Sequence, residues 1–258
     1  MDNHPQGKSI IAALRAFTTS GLCAQWSHAA TRVYFTLIVP TVLLLLSARL
    51  VMTPLFLKLE YNRPGFPEDA YGFTQAERLH YAPYALNYLL NDADIDYLAD
   101  LTFSDGQFLF TQRELRHMED VKIVTRRAFQ LLSFVGGLSI IGGIVLWRRG
   151  AKHAILDGLI TGSVLTLGII SSVVILAITA WDVFFTTFHQ LFFEGNTWRF
   201  AYSDTLIRLF PEQFWFDAAF TIGAFTGIVA IIILRVSGRI RKTASPHQDA
   251  NHASSAAT

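Results

Sequence analysis

The sequence predicts an all-α membrane protein: four transmembrane helices with an extracytoplasmic, mainly helical cap formed by the first loop. Three observations carry that prediction. The 258 residues are 52% hydrophobic with a mean hydropathy of +0.35, too apolar for an ordinary soluble domain. The apolar residues are gathered into four long blocks instead of being spread along the chain. The two long stretches between blocks are acidic, whereas the N-terminal segment, the short middle turn and the C-terminal segment are basic.

Residues 1–32 are weakly basic, with Ile10, Ile11, Leu14 and Phe17 spaced for one face of a helix lying on the inner membrane surface. They read as a cytoplasmic N-terminal extension. Residues 33–55 form the first span, long enough for the ~20 residues a crossing needs, although Pro40 and Arg49 interrupt it. A cleaved signal peptide ending at Ser47-Ala48 is the rival, against which 32 preceding residues make an unusually long n-region. Arg49 either snorkels towards the headgroups or faces a site between helices.

Residues 56–124 lack the spanning pattern over about seventy positions, too many for a simple connection, and read as the cap. The stretch YNRPGFPEDAYGF carries Pro64, Gly65, Pro67 and Gly72 and predicts a rigid turn-rich segment. Helical spacing starts after Thr74, where Thr74-Gln75-Ala76-Glu77 has the form of a capping box leading into Leu79, Leu86 and Leu90. The acidic run 91–96 lacks the glycine and glutamate of an EF-hand loop and reads as a solvated helix connection. Thr111 to Lys122 predicts a helix running into the membrane, with Arg113, His117 and Asp120 on one face.

The second span, 125–147, contains Gly136, Gly137, Gly142 and Gly143, which predict close helix contact. A basic turn joins it to the third, 154–180. Residues 181–217 form an aromatic extracytoplasmic loop in which His189 lies among Phe184, Phe185, Phe188, Phe192, Phe193, Trp198 and Phe200, the composition of a membrane–water boundary. The fourth span is 218–236, and 237–258 is a cytoplasmic tail, disordered from Thr243. Residues 55–124 hold six Lys or Arg against twelve Asp or Glu, and 181–217 two against five. Positive residues stay inside, so a multi-pass cell-membrane protein with both termini cytoplasmic is expected. His117 and His189 then share one side of the membrane.

A net charge of +1 with no basic stripe argues against a nucleic-acid partner. The single Cys23 excludes an intramolecular disulfide and a Cys-based zinc site. No G-x-S-x-G, H-E-x-x-H or phosphate-binding glycine loop occurs, and neither a cofactor nor a metal is expected. His117, Asp120 and His189 could in principle ligate a metal, but acid–base chemistry asks for less. One imidazole takes a proton from a nucleophile, a second group stabilises an oxyanion, and a carboxylate such as Asp120 either fixes a tautomer or simply pairs with Arg116.

The segments YNRPGFPEDAYGFTQAER (61–78), RELRHMEDVK (113–122), FHQLFFEGNTW (188–198) and DTLIRLFPEQFW (204–215) resemble the ordered motifs of a bacterial four-helix integral membrane family. That family, once labelled only by a domain of unknown function, includes lipoprotein intramolecular transacylases. The resemblance implies that the histidines of HMEDV and FHQLFF, here His117 and His189, are catalytic, with Asp120, Arg78, Tyr61, Trp198 and Asp204 in support. It implies transfer of the sn-2 acyl chain of a diacylglyceryl cysteine onto that cysteine's α-amino group. The expected partners are a diacylated lipoprotein or a membrane phospholipid, within the bilayer. The chain departs from the family in its long N-terminal extension and its Pro/Gly-rich approach to the cap.

The alternative is a non-catalytic membrane protein whose outer cap binds an envelope partner. Catalysis requires the two imidazoles within about 4 to 8 Å across one cleft. One further expectation concerns residues 61–73, which should fold over the two histidines as a lid, touching 188–198. Arg78 should pair with Glu68 or Asp69, or face an anionic lipid group.

Overall fold

The computed structural model describes residues 6–195 and 197–244, with side chains for 26–195 and 197–243. The proposed inner-surface face of Ile10, Ile11, Leu14 and Phe17, the Cys23 thiol and the tail beyond Ala244 lie outside these. The helices are α1 (Gln6–Val51), α2 (Pro54–Tyr61), α3 (Gln75–Leu90), α4 (Asp96–Ala99), α5 (Gln112–Arg148), α6 (Lys152–Thr179), α7 (Trp181–Phe192), α8 (Thr205–Leu209) and α9 (Glu212–Ala244). Among the described residues the only strand-like pairing is one bridge between Thr102 and Phe108. Among the described residues, four helical stretches are long and apolar enough to cross a membrane: Trp26–Val51, Gln112–Arg148, Lys152–Thr179 and Glu212–Thr243.

Local chemistry sets the helix boundaries. Pro40 lies inside α1, tolerated in an apolar segment where neighbouring groups take up the freed carbonyl. Pro54 opens α2 at a position whose N–H would have no helical partner, and Thr53 Oγ1 accepts from Phe56 N at 3.3 Å. At α3, Glu77 N donates to Thr74 Oγ1 at 3.2 Å and Thr74 N donates to Glu77 Oε2 at 2.7 Å, the reciprocal capping box. Between α6 and α7 only Ala180, at φ −150 and ψ 60, leaves the helical conformation.

The chain divides into two compact units. One comprises the residues up to Pro40, Gly137–Leu165 and those from Ala230; the other comprises Thr41–Gly136 and Thr166–Val229.

In the first unit, α6 approaches α1 closely at two glycines four residues apart. A Cβ at Gly158 would stand 2.6 Å from Phe35 Cβ and 2.8 Å from the Arg32 carbonyl; at Gly162 it would stand 2.9 Å from Val39 Cβ. Small residues at this spacing let backbones meet, and Thr36 and Thr161 hydroxyls join there at 2.7 Å. The expectation that Gly136, Gly137, Gly142 and Gly143 supply the close contact is corrected. A Cβ at the first three meets nothing within 4 Å, and at Gly143 only the Phe35 ring edge at 3.5 Å. Their stretch of α5 turns outward, with Leu138, Ile140 and Ile141 more than half exposed, as suits contact with lipid.

In the second unit, α2, α3, α4 and α8 gather over two apolar clusters. Phe73, Ala85, Tyr88, Leu98, Leu109, Leu115, Met118 and Leu209 form one; Leu57, Tyr61, Ala82, Leu86 and Phe214 form the other. The acidic run 91–96 is the connection between α3 and α4. There Asn91 Oδ1 accepts from Ala93 N and from Lys122 Nζ, and Arg126 pairs with Asp92. All the candidate site residues lie in this second unit.

Candidate functional site

His117 sits one turn into α5, on a segment anchored by a buried carboxylate. Glu114 is fully buried and accepts three hydrogen bonds: from Thr111 N at 2.7 Å, Thr111 Oγ1 at 2.9 Å and Leu206 N at 2.7 Å. It therefore caps α5 and ties it to the start of α8. Thr205 Oγ1 adds a bond to the Leu109 carbonyl at 2.5 Å. Leu115 and Met118, buried beside His117, hold this turn of α5 in the core.

His189 sits on α7, an amphipathic helix with no buried residue, whose Val183, Phe188, Leu191 and Phe192 are left exposed. Such a helix suits the interface plane. His189 Nδ1 lies 2.7 Å from the Phe185 carbonyl one turn back. A carbonyl only accepts, so Nδ1 carries the proton and Nε2 presents a lone pair. Burial pushes the His189 pKa below the ordinary histidine value, partly opposed by that same carbonyl contact.

The two imidazoles face each other with ring centroids 6.3 Å apart and planes 25° from parallel. The surround is aromatic. His117 meets Phe193 and Phe200 edge-on at 5.1 and 5.3 Å, while His189 has Phe185 at 4.1 Å and Trp198 at 4.8 Å. Three buried polar atoms here have no hydrogen-bond partner among the described residues: His117 Nδ1, Thr197 Oγ1 and Trp198 Nε1. The pocket holds one unprotonated imidazole nitrogen on His189, a second imidazole within reach of the same small substrate group, and apolar walls.

The remaining sequence candidates fall elsewhere. Tyr61 is buried between α2 and Phe214, and its hydroxyl donates to the Leu209 carbonyl at 2.8 Å. Arg78, 5% exposed, donates to the Arg208 carbonyl at 2.8 Å and the Pro67 carbonyl at 2.6 Å, and stands 4.0 Å from Asp69. Asp204 precedes α8, accepts from Ala201 N at 2.9 Å and lies 3.9 Å from Arg113. Asp120 is half-buried and has no hydrogen-bond or ion-pair partner among the described residues, so neither the Arg116 pair nor a bond to His117 forms. Trp198 alone of these five touches a histidine.

The expectation of a lid over the histidines is corrected. Among the described residues, the hydrogen bonds, ion pairs and ring contacts of 61–73 with the second loop reach 208–217, and none reaches 188–198. Asp69 pairs with Arg208 at 3.0 Å, the Arg208 guanidinium lies 3.9 Å over the Phe73 ring, and Arg63 pairs with Asp217. The reason is electrostatic: Asp69, with its side chain 4% exposed, needs cations, and both Arg78 and Arg208 lie away from the aromatic stretch. Glu114 and Arg208 were not singled out from sequence, whereas the expected pair of Arg78 with Asp69 forms, at 4.0 Å. The signal for Glu114 was present, since Thr111-Gln112-Arg113-Glu114 repeats the capping-box spacing of Thr74 to Glu77. Among the described residues no group of three or more His, Cys, Asp or Glu is placed to hold a metal ion.

The sequence model of the family described as lipoprotein intramolecular transacylase Lit matches residues 33–215. An uncharacterized protein of Aquifex aeolicus (strain VF5) is 32% identical over 198 residues, which cover 77% of this chain and 88% of that protein. Among solved structures, the membrane integral lipoprotein intramolecular transacylase Lit from Bacillus cereus aligns with a TM-score of 0.65 at 20% identity, covering 85% of this chain and 98% of the other. A histidine-to-arginine variant of that protein aligns with a TM-score of 0.62 at 19% identity, covering 88% and 97%. At these identities the structural likeness is one of fold.

Proposed function

We propose, from the premise that this chain belongs to the lipoprotein intramolecular transacylase family, that it moves the sn-2 acyl chain of a diacylglyceryl-modified N-terminal cysteine onto that cysteine's α-amino group. The observation that carries the reading is the imidazole pair: 6.3 Å between ring centroids, with His189 Nδ1 held by a carbonyl and Nε2 left as acceptor.

His189 is assigned the base that takes the amine proton, and His117, on receiving that proton from His189, the acid that returns it to the glycerol oxygen. A positioned base contributes roughly 10² to 10⁴-fold. Holding amine and ester together supplies more by making the attack intramolecular. Conversion of an ester to an amide runs downhill and asks for no nucleotide. The aromatic walls exclude water, which would otherwise hydrolyse the ester.

The acidic loops support an outward orientation, with both termini cytoplasmic and residues 56–124 and 181–217 outside, so that the site acts on lipid in the outer leaflet. In a Cys23→Ser background, Asp94→Cys should label from outside and Arg149→Cys only from inside; equal labelling from outside would reverse the assignment. The function itself is tested by mass spectrometry of a lipoprotein co-expressed with the protein. An N-acyl, monoacylglyceryl N-terminus is expected. A diacylglyceryl cysteine with a free amine would defeat the reading.

A further inference from the structure

We propose that the indole Nε1–H of Trp198 is the donor that holds the oxyanion in this reaction, an inference that rests on the acyl-transfer reading. An indole nitrogen donates and cannot accept, and buried Trp and Tyr usually reach a partner. The deeply buried side chains elsewhere in the same unit do so: Tyr61 through Leu209, Arg78 through Pro67 and Arg208, Glu114 through Thr111 and Leu206. Trp198 is 7% exposed, yet its Nε1 has no partner among the described residues.

What surrounds the indole explains why. The His189 ring lies 4.8 Å away at 31° and the Phe185 ring 6.2 Å away, while a guanidinium, that of Arg199, sits 5.0 Å over it. Phenylalanine rings and a guanidinium offer no lone pair, and the His189 ring, though it carries one on Nε2, does not accept from the indole, so an acceptor for the N–H arrives with the substrate. An ester carbonyl is such an acceptor, and it gains charge as the reaction proceeds. The Thr197 hydroxyl, also buried and unpartnered, stands next in the chain as a second donor.

The step balances without a co-reactant. The amine nitrogen bonds to the acyl carbon while the carbonyl π pair moves onto oxygen, beside the indole N–H, and the amine proton passes to His189 Nε2. On collapse that pair re-forms the carbonyl, the bond from acyl carbon to sn-2 glycerol oxygen breaks, and the departing oxygen takes up that same proton, relayed from His189 through the His117 imidazole. The indole keeps its own proton throughout. A neutral donor suits an aromatic pocket, because it carries no charge to desolvate and is already oriented when the oxyanion forms.

The test replaces Trp198 in the full-length protein by phenylalanine and, to keep the ring shape, by 3-benzothienylalanine, in which sulfur stands for N–H. Two readouts are taken with a synthetic diacylglyceryl lipopeptide: transfer rate, and affinity for two unreactive analogues. One analogue has an anionic tetrahedral phosphonate at the sn-2 position and the other an uncharged ether. Loss of one oxyanion donor is expected to lower kcat by roughly 10² to 10³-fold, to weaken the phosphonate in parallel, and to leave ether affinity within about threefold. A benzothienylalanine protein within threefold of wild type, or equal weakening of both analogues, would overturn the assignment and leave acyl transfer standing. A wild-type protein that transfers no acyl group from the lipopeptide would overturn both.

Discussion

The histidine pocket and the brace around Asp69 lie in one structural unit and both hold buried polar atoms, but they treat them in opposite ways. In the brace, Asp69 receives Phe73 N, Arg208 and Arg78; Arg78 also serves two carbonyls; and Glu114 fills its oxygens with three donors. In the pocket, His117 Nδ1, Thr197 Oγ1 and Trp198 Nε1 are equally dry and have no partner among the described residues. An unmade buried hydrogen bond costs about 1 to 3 kcal/mol. A fold that satisfies one polar cluster and leaves its neighbour unsatisfied keeps the second for a ligand.

The contrast breaks most readily at the histidines. His189→Gln and His117→Leu are each expected to lower acyl transfer by roughly 10² to 10⁴-fold while thermal stability stays level or rises, since His117→Leu removes an unpartnered polar atom from an apolar wall. A Tm that falls with activity would place the histidines with the brace instead. Glu114→Ala should behave in the opposite sense. It strands the Thr111 and Leu206 N–H groups, and destabilisation of about 3 kcal/mol is expected, read as a lower Tm in detergent. Glu114→Gln, which keeps one acceptor oxygen, should fall between. Wild-type stability in Glu114→Ala would show that the α5 cap does not hold α8.

The spanning helices and the two histidines were legible in the sequence because both signals are local: runs of apolar residues, and rare titratable residues among phenylalanines. The Arg78–Asp69 half of the brace was legible too, because the two lie close in sequence; the Arg208 half was not, because Asp69 and Arg208 are 139 positions apart and nothing in a single sequence pairs them. The apolar residues of 61–73 point to the nearest aromatic stretch as their cover, but the buried Asp69 carboxylate makes the stricter demand and draws the segment to Arg78 and Arg208. Close helix contact was assigned to the denser glycine cluster, whereas Gly158 and Gly162, four apart on α6, face Phe35 and Val39. Spacing on one face decided that contact, and glycine count did not.

A smaller effect follows from pH. Burial lowers the His189 pKa beneath its ordinary value of 6.5, so between the lowered value and 6.5 the unfolded chain binds a proton there that the folded chain does not. Stability from this group is therefore fully present above about pH 6.5 and is lost as pH falls through the folded value. The same shift moves protonation of His189 to lower pH than that of an ordinary histidine. The acid limb of kcat/KM should accordingly lie below 6.5. The loss of Tm between pH 6.5 and 5 should be smaller in His189→Gln. An acid limb above 6.5 would mean that His189 is stabilised as the cation, as a paired brace residue would be.

The smallest effect is expected at Asp120, which shares the α5 face of His117 and is the natural carboxylate to orient it. In the structure it is half-buried with no hydrogen-bond or ion-pair partner among the described residues, and His117 Nδ1 is itself unpartnered. It belongs neither to the filled brace nor to the unfilled pocket. Asp120→Asn keeps its size and breaks no hydrogen bond or ion pair among the described residues, so stability should move by no more than about 0.5 kcal/mol and acyl transfer by less than about threefold. The useful measurement is the kcat–pH profile of this variant beside wild type. A carboxylate that approached His117 during turnover would favour its imidazolium, and removing it would shift one limb to lower pH together with a tenfold or larger fall in rate. Superimposable profiles would leave His117 oriented by Phe193 and Phe200 alone, the rings that meet it at 5.1 and 5.3 Å.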